Sequence, residues 1–520
     1  MIKLALLKII RFIYRIICKF TYVLIPYISK ILKLLKLNSR IINQLNKIQH
    51  NSHRSQNFTK IISKLLNNKK LLALDVDTIK CVYEKPGSLK IGHYLPGTRI
   101  PIYSDHEWID SKDKSALMLN LAWHIPDEIR HYMNEYGYTG KIIDILIKDL
   151  IPILERNDLI IDCGNSFYKD SIKREKLLKK SKIEFLDCGI SGGKEGARHG
   201  PSLMIGGYKK NFKRIFPFFK KISAKDPLKN ECCAYMGGIG SGHFVKMIHN
   251  GIEYGEMQLI VETFSILNLK YSYPEIIRFF EKLNNSIDNS FLLKSTISIL
   301  KEKRSSGKYV VDEILDEAET NGTGLWASVE GLNLNQCNSI MISSLLARTL
   351  SSNKALRKKY NLERSSSNLK IDLDNIQKAF YISKSLNHYQ GFQIIHKAKV
   401  EFKWNINLSE IARIWTNGCI IKSELMSKIS TILKKDENLM DNSKFFNSIK
   451  KGEDSLKTIL TFGINSNLAL LSFSAAFNYW ISLTSEKSNA NIIQAQRDFF
   501  GNHGFRNKNT NSIVSFPWTK

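Results

Sequence analysis

The pattern of apolar and polar positions is most unusual in residues 243–254, inside a long stretch of helical periodicity. Four polar residues, Lys246, His249, Asn250 and Glu253, stand at i, i+3, i+4 and i+7 among apolar neighbours. On an α-helix these positions share one face. A lysine and a carboxylic acid two turns apart on that face can supply a base and an acid to one substrate. A solvated surface face has the same spacing, so both interpretations are open at this point.

Alternating strand and helix patterns precede this polar face. Residues 158–162 and 184–188 are short apolar runs typical of buried strands, and residues 169–180 between them have helical periodicity. The other predicted elements of this region are a helix at 143–153, a turn at 164–166 and a glycine-rich loop at 191–198. Such alternation predicts a parallel, partial Rossmann-like sheet whose ligands lie at the carboxyl ends of its strands.

The chain changes character twice more. From residue 242 to about 485 the periodicity is almost wholly helical, which predicts a large all-α domain. Upstream, apolar runs at 71–75 and 116–123 predict strands, and residues 126–136 form an amphipathic segment. The predicted order is a basic helical lead at 1–66, an α/β segment at 70–142, a Rossmann-like part at 143–240, an all-α domain at 241–485 and a polar tail at 486–520.

The basic lead has a composition of its own. None of the first 74 residues is acidic, and Lys8, Arg11, Arg15 and Lys19 recur at helical spacing among apolar residues. An amphipathic helix at a membrane surface, an acidic-poor targeting peptide and a helix docked on the rest of the protein all fit this pattern. The longest uncharged apolar-rich run, residues 20–29, is too short to span a bilayer.

Overall composition excludes some classes of protein. The net charge of +29 fits either an anionic ligand or surface, or a general enrichment in Lys, Ile and Asn, and no nucleic-acid-binding motif accompanies it. Eight scattered cysteines form no CxxC pair and no metal-ligand spacing. The sequence therefore predicts free thiols in a reducing, cytoplasmic compartment, with no metal site and no nucleic-acid partner.

Three glycine-containing segments lie beside polar residues: 164–166, 191–193 and 238–242, the last running into the polar face. Exposed amides in such loops and at helix N-termini bind carboxylate or phosphate, although glycine turns are as often purely structural. Together with the polar face they outline a pocket for a polyhydroxylated anion. Arg348 and Arg497 add guanidinium groups of the kind that match phosphate.

From residue 143 onward the sequence closely resembles the 6-phosphogluconate dehydrogenases, decarboxylating enzymes of the pentose phosphate pathway. The similar segments occur in the family's order. They are IIDCGNS at 160–166, SGG at 191–193, EGAR at 195–198, GPSLM at 200–204, HFVKMIHNGIEYGEMQLI at 243–260, GTG at 322–324 with Trp326, GCII at 418–421 and QAQRDFFG at 494–501.

The resemblance implies roles for the two ends of the polar face. Lys246 would be the general base that takes the proton of the substrate's 3-hydroxyl while hydride leaves C3. Loss of CO₂ would follow, and Glu253 would be the general acid that protonates C1. This division needs a neutral lysine and a protonated carboxyl, hence opposite pKa shifts in a partly dry pocket.

The resemblance also implies a substrate site and an assembly. The implied substrate contacts are Asn165, Ser191, Gly192, Gly193, His249, Asn250, Tyr254 and Asn321, with Asn165 also beside the cofactor. Arg348 would hold the phosphate. Arg497 and His503 would come from the tail of a partner subunit, so the family implies a homodimer. Asn321 and Leu325 stand where the family has lysines, and Lys194 stands where it has an acidic residue.

The nucleotide-binding half departs further from the family. The chain has no GxGxxG fingerprint for NADP, and residues 70–142 instead resemble the C-terminal domain of sugar C-methyltransferases. The segments that carry this second resemblance are GHYLPGTRIPI at 92–102 and LNLAWHIPDEI at 119–129. It implies α/β structure and, without that family's methyl-donor domain, no methyl transfer.

We therefore expect a 6-phosphogluconate dehydrogenase that forms ribulose 5-phosphate and reduces NADP. The alternative is a catalytically silent homodimer that binds a sugar phosphate or acts as a scaffold. A weak membrane-surface contact or organelle targeting through residues 1–66 also fits the sequence.

Overall fold

The computed structural model describes residue 151 and residues 154–318, 322–362 and 371–518, together with four short strands nearer the N-terminus. These are β1 (Val82–Glu84), β2 (Ile102–Ser104), β3 (Met118–Asn120) and β4 (Ile142–Asp144). The basic lead and the elements predicted at 71–75 and 126–136 lie outside the described residues. Within the described ranges, every helix is too short or too polar to cross a bilayer.

The first four strands form two parallel pairs, β1 with β2 and β3 with β4. Strand β3 falls inside the run predicted as a strand at 116–123. Strand β4 corrects the start of the helix predicted at 143–153, because residues 142–144 are extended and Ile143 stands opposite Leu119. Residues 145–150 and 152–153 of that prediction lie outside the described residues. Two consecutive β-branched isoleucines favour extended backbone, and a short apolar run does not distinguish a strand from a helix by its period alone.

A four-stranded sheet follows, in the order β5 (Leu159–Asp162), β6 (Glu184–Ser191), β7 (Ser202–Gly207) and β8 (Cys233–Gly237). The outer pairs β5–β6 and β7–β8 are parallel as predicted, whereas β6 and β7 are antiparallel. The connection between β6 and β7 is too short for the crossover that parallel neighbours need. The fold class, an α/β part followed by a large helical domain, is confirmed.

Three helices accompany this sheet: α1 (Tyr168–Lys180), α2 (Gly193–His199) and α3 (Lys209–Ile222). Helix α1 matches the prediction, and α2 replaces most of the glycine-rich loop predicted at 191–198. Gly192 permits this sharp entry into α2, since its φ is 136°. Apolar side chains of α3, including Ile215 and Phe219, pack with strand residues such as Leu186 to form the sheet's core.

The predicted all-α domain is confirmed, and one large hydrophobic core runs through it. Its helices are α4 (Ser241–Asn268), α5 (Tyr273–Asn284), α6 (Phe291–Lys301), α7 (Thr323–Asn333), α8 (Ser339–Ser352), α9 (Lys354–Lys359), α10 (Leu373–Glu401), α11 (Leu408–Ile414), α12 (Glu424–Ile432), α13 (Ser443–Lys450), α14 (Glu453–Asn465) and α15 (Leu471–Thr484). The two longest, α4 and α10, contact each other extensively, and α4 also reaches the sheet. Helix α4 therefore joins the two parts of the protein.

The C-terminal tail contains α16 (Ala490–Gly501) and a hairpin of β9 (Phe505–Arg506) with β10 (Ile513–Val514). Asp498 is the buried residue of α16. Its carboxylate accepts hydrogen bonds of 2.8–3.0 Å from the backbone N–H groups of Gly504 and Phe516, the Ser515 hydroxyl and the Trp518 indole. One carboxylate therefore holds the hairpin and the chain end against α16.

These hydrogen bonds make the tail sensitive to acid. They lower the pKa of Asp498 to about 2. A depressed carboxyl pKa stabilises the fold fully above its ordinary value, and this stabilisation is lost as the pH falls through the depressed value. We expect the protection of the backbone amides of residues 502–518 against hydrogen exchange, corrected for the intrinsic rate at each pH, to fall between about pH 4 and pH 2. Asp498→Asn should show fast exchange already at pH 7, whereas Asp454→Asn, at an exposed position of α14, should not. Unchanged exchange in Asp498→Asn would contradict this role.

Candidate active site

The N-terminal end of α4 is anchored on the sheet by a buried carboxylate. Asp187 of β6 accepts hydrogen bonds from the backbone N–H groups of Gly240 at 2.7 Å and His243 at 2.9 Å. A carboxylate at this position satisfies amides that the first helical turn leaves unbonded, and it complements the helix dipole. Gly242 allows the close approach, because a Cβ atom there would lie 2.5 Å from the Met204 carbonyl oxygen. The direction of α4 is thus fixed.

The polar face of α4 is buried, which rules out a solvated surface face. Lys246 is 7% exposed, His249 0% and Asn250 8%. Glu253, at the far end, keeps 21% of its side chain exposed. These groups line a nearly dry site that opens to solvent beside Glu253.

The four side chains contact one another. The Lys246 Nζ lies 3.2 Å from His249 Nδ1 and donates a short hydrogen bond to Asn250 Oδ1. The same His249 Nδ1 is 3.7 Å from Glu253 Oε2, and His249 Nε2 is 2.9 Å from Ser191 Oγ. His249 therefore stands between the amine and the carboxyl and connects both to the end of β6.

Burial shifts the pKa values in the directions that acid–base chemistry requires. It lowers the pKa of Lys246, which the charge of Glu253 opposes. It raises the pKa of Glu253, against the charges of Lys246 and Arg348. Burial, and after it the Lys246 charge, holds the pKa of His249 well below its ordinary value. Each shift favours the uncharged form of its group, namely the amine of Lys246, the imidazole of His249 and the protonated carboxyl of Glu253.

The predicted Ser191-Gly192-Gly193 segment lies against this cluster. Besides contacting His249, Ser191 Oγ accepts a hydrogen bond from the Ile420 N–H at 3.4 Å. A Cβ atom on Gly192 would lie 2.7 Å from the Gly418 carbonyl oxygen, and Gly193 begins α2. The end of β6, α2 and the segment around Gly418 thus form one wall beside the cluster.

Tyr254 and Arg348 form a second wall. The Arg348 guanidinium lies 3.6 Å from the centre of the Tyr254 ring, which is cation–π contact distance. The ring needs a residue without a side chain at Gly324, because a Cβ atom there would lie 2.5 Å from it. The Gly322-Thr323-Gly324 segment and Arg348 are therefore close to the predicted acid.

Other predicted residues lie apart from the cluster or outside the described chain. Asn165 is exposed at the carboxyl end of β5, where ligands of such sheets bind. Arg497 and His503 are exposed on the tail, and Arg497 bonds Gln494 of its own helix. Asn321 lies outside the described residues.

The described part of the chain also contains cysteines and other side chains of the kinds that bind metal ions. Its residues include no group of three or more His, Cys, Asp or Glu side chains placed to hold a metal ion. The cysteines of this part, all free thiols, are Cys163, Cys188, Cys232, Cys233, Cys337 and Cys419.

Sequence reasoning missed two residues that position Lys246, namely Asp187 and Gly189. Both belong to β6, whose apolar pattern indicated only a strand. A Cβ atom on Gly189 would lie 2.4 Å from the Lys246 Cβ and 2.7 Å from the Gly242 carbonyl oxygen. The available signal was a charged residue inside a buried strand, since such a group needs a specific partner.

Three family profiles match consecutive parts of the chain. The 6-phosphogluconate dehydrogenase C-terminal domain matches residues 242–518, and the NAD-binding domain of 6-phosphogluconate dehydrogenase matches 138–238. The C-methyltransferase C-terminal domain matches residues 64–146. The last two matches overlap at residues 138–146.

Curated relatives agree with the first two matches. The chain is 36% identical to the decarboxylating 6-phosphogluconate dehydrogenase of Buchnera aphidicola, over 81% of this chain and 89% of that relative. It is 37% identical to the Mus musculus enzyme, over 71% and 78%. Among solved structures, the chain is similar to Plasmodium falciparum 6-phosphogluconate dehydrogenase, which was studied in apo form and with NADP⁺ or 6-phosphogluconate. The two are 31% identical with a TM-score of 0.69, and the match covers 79% of this chain and 97% of that one.

The close approach of β6 to α4 generates a stability prediction. We expect Gly189→Ala to lower the free energy of unfolding by about 1–3 kcal/mol, because the new methyl group collides with Lys246 and with backbone. Gly196→Ala, in the neighbouring helix α2, meets its nearest atom at 3.4 Å and should cost much less. Denaturant unfolding of the two variants measures the difference. Equal stability of the two would refute a close-packed contact at Lys246.

Proposed function

Because the chain belongs to the 6-phosphogluconate dehydrogenase family, we propose that it oxidises and decarboxylates 6-phosphogluconate to ribulose 5-phosphate, with reduction of NADP. The observation that carries this proposal is the buried cluster on α4. A lysine with a lowered pKa and a carboxyl with a raised pKa face the same space, connected through His249. Such a pair serves two proton transfers at neighbouring carbons of one substrate.

The reaction follows from these protonation states. The neutral Lys246 amine accepts the proton of the 3-hydroxyl as hydride leaves C3, and NADP, when bound, supplies the hydride acceptor. The 3-keto acid then loses its carboxylate as CO₂, because the new carbonyl accepts the electron pair of the breaking bond. The enediolate left by this step takes a proton from the Glu253 carboxyl at the carbon that was C2 of the substrate and becomes C1 of ribulose 5-phosphate, which gives the ketone. Lys246 ends the turnover protonated and Glu253 ionised, so their protons must be exchanged before the next one.

The rest of the site suits a polyhydroxylated phosphorylated acid. Ser191, His249 and Asn250 offer hydroxyl, imidazole and amide groups beside the base, and Gly193 brings the N-terminal end of α2 next to them. Arg348 is held by the Tyr254 ring near the acid and is our candidate for the phosphate contact.

The described residues fit one end of the cofactor. Asn165 presents an exposed amide at the carboxyl end of β5, and the Gly164 N–H bonds the buried Asp162, which shapes that turn. We propose that Asn165 lies beside both the substrate and the nicotinamide. For the phosphates of NADP, however, the sequence has no GxGxxG segment.

We further propose a homodimer in which the tail reaches the partner's site. Helix α16 exposes large apolar side chains, with Ile492 58%, Ile493 61% and Phe500 72% exposed. Beside Arg348, helices α7 and α8 expose a second apolar surface, which consists of Leu325, Val329, Leu332, Leu346 and Leu350. Docking the tail of one copy there would cover both surfaces and bring Arg497 and His503 to the phosphate end of the site.

Formation of NADPH from 6-phosphogluconate and NADP tests the proposed reaction. We expect Lys246→Met and Glu253→Gln each to lower kcat by roughly 10²–10⁴-fold, since each removes one proton transfer. Lys294→Met, an exposed position of α6, should retain wild-type activity.

The pH profile checks the assignment of base and acid. Activity should rise with pH through the lowered pKa of Lys246, because the base must lose its proton, and fall with pH through the raised pKa of Glu253, because the acid must keep its own. Glu253→Gln should abolish the alkaline limb. If 6-phosphogluconate raises the thermal stability of the wild-type protein and no NADPH forms, the silent-binder alternative is correct.

Complementation between variants tests the shared site. Lys246→Met and Arg497→Ala homodimers should each be nearly inactive. Random hybrid dimers should recover up to about one quarter of wild-type activity, because half of the dimers are hybrids and each hybrid has one intact site. Recovery would not occur if Arg497 served the site of its own chain. Mixtures of Lys246→Met with Glu253→Gln provide the matched control and should stay inactive.

A further inference from the structure

An ion pair lies inside the helical domain, and the proposed reaction does not use it. Glu256 of α4 and Lys384 of α10 are both fully buried, with 3.3 Å between Oε1 and Nζ. Lys384 also donates to the Asp288 carbonyl oxygen at 3.0 Å. Burying two charges costs more than most ion pairs return, so such a pair is weak evidence for a role in stability alone.

The ion pair belongs to a contact between α10 and the turn of α4 that carries the proposed acid. Asn387, one turn beyond Lys384 on α10, donates a hydrogen bond of 2.8 Å to the Ile252 carbonyl oxygen. A Cβ atom on Gly255 would lie 2.3 Å from Asn387 Oδ1, so the two helices touch there. Helix α10 therefore packs against residues 252–256 of α4, which include both Glu253 and Tyr254.

Within this turn, Glu256 is the nearest second carboxylate to the acid. Glu253 and Glu256 are three residues apart, which makes them neighbours on the helix surface. Neither carboxylate oxygen of Glu256 accepts a hydrogen bond from a described residue, and Lys384 is its ionic partner in that part of the chain. A poorly hydrogen-bonded charge in a dry interior acts on its neighbours with little screening.

We propose that Glu256 and Lys384 are positioning residues for Glu253. The ion pair fixes the turn of α4 that carries the acid and keeps a negative charge beside it, so that Glu253 holds its proton until C1 needs it. This inference rests on the proposed function, in which Glu253 is the acid.

The other charged groups near Glu253 act in the opposite direction. Lys246 on α4 and Arg348 on α8 lower its pKa, and Glu256 raises it. His249, also within reach on α4, has a pKa well below its ordinary value and is neutral near pH 7. The Glu256 charge is thus the described charge that acts together with burial in raising the pKa of Glu253.

The groups around Glu256 do not replace this charge. On α10, burial lowers the pKa of His388 to about 4, so this imidazole is neutral near pH 7. In the segment before α6, burial raises the pKa of Asp288 to about 6, against the charge of Lys384, so Asp288 is an anion at higher pH. Asp288 faces Lys384 rather than Glu253. Replacing Glu256 and Lys384 together removes the charge beside the acid without leaving an unpaired buried lysine.

The test compares pH profiles of NADPH formation. Glu256→Gln combined with Lys384→Met should move the alkaline limb of kcat to lower pH by about one unit, because Glu253 then loses its proton more easily. Above that limb, kcat should fall roughly tenfold relative to wild type. Glu256→Asp keeps the charge and should restore the wild-type limb. Glu262→Gln is the matched control, a buried carboxyl farther along α4 that bonds the start of α15.

A purely structural role would give a different result. In that case the paired variant would unfold at a lower temperature while its alkaline limb coincided with that of wild type, and the inference would be overturned. If the wild-type chain forms no NADPH, the proposed function fails separately. In that case the pKa of Glu253 is measured directly by infrared titration of its carboxyl. The signal is the difference spectrum between each protein and the same protein with Glu253→Gln. A lower Glu253 pKa in the paired variant supports the inference, and an unchanged one refutes it.

Discussion

Removal of water from one face of helix α4 is the constraint on which the rest of the structure depends. In water an amine and a carboxyl would both be charged near pH 7 and could serve as neither base nor acid. Burial of Lys246 to 7% exposure shifts its pKa downward, and burial of Glu253 shifts its pKa upward. His249, fully buried, links the two without adding a charge. Contacts from the sheet and from the other helices keep this face dry and hold it in place.

Three sets of contacts provide that dryness, each from a different part of the chain. At the start of α4, the Asp187 carboxylate and the absence of a side chain at Gly189 allow the sheet to approach Lys246 closely. In the middle, Tyr254 and Arg348 pack against each other next to Glu253. A buried carboxylate, Glu330 of α7, also ties the α/β part to the helical domain, since it accepts hydrogen bonds from the Tyr168 hydroxyl at 2.7 Å and the Lys169 ammonium at 2.6 Å. The sheet and the helices therefore form the two walls of one site.

Local sequence pattern was sufficient for the helical face and insufficient for its surroundings. The spacing of Lys246, His249, Asn250 and Glu253 places them on one face of a helix, so their common face was predictable, although the spacing did not decide whether that face is buried or solvated. Contacts such as that of Glu256 with Lys384 join residues far apart in the chain, and no periodicity encodes them. The errors were local: residues 142–144 form a strand, and most of the predicted loop after Ser191 is helix α2. In both places the structure of a short segment depends on its neighbours. Residues 142–144 are extended beside the parallel strand β3, and α2 begins at the turn that Gly192 makes.

The two halves of the reaction depend on different parts of the chain. In the proposed reaction, proton transfer depends on α4 and the elements packed around it, all within residues 159–518. Hydride transfer depends on a nucleotide-binding region, and there the methyltransferase-like match at 64–146 overlaps the NAD-binding match at 138–238. Strand β4 lies within the overlap and pairs in parallel with β3, which belongs to the methyltransferase-like match alone. The backbone pairing thus continues across the junction of the two resemblances. Parallel pairing places the carboxyl ends of both strands at one edge, which is the edge where α/β sheets bind their ligands. The junction therefore keeps this edge, although the sequence has no glycine fingerprint.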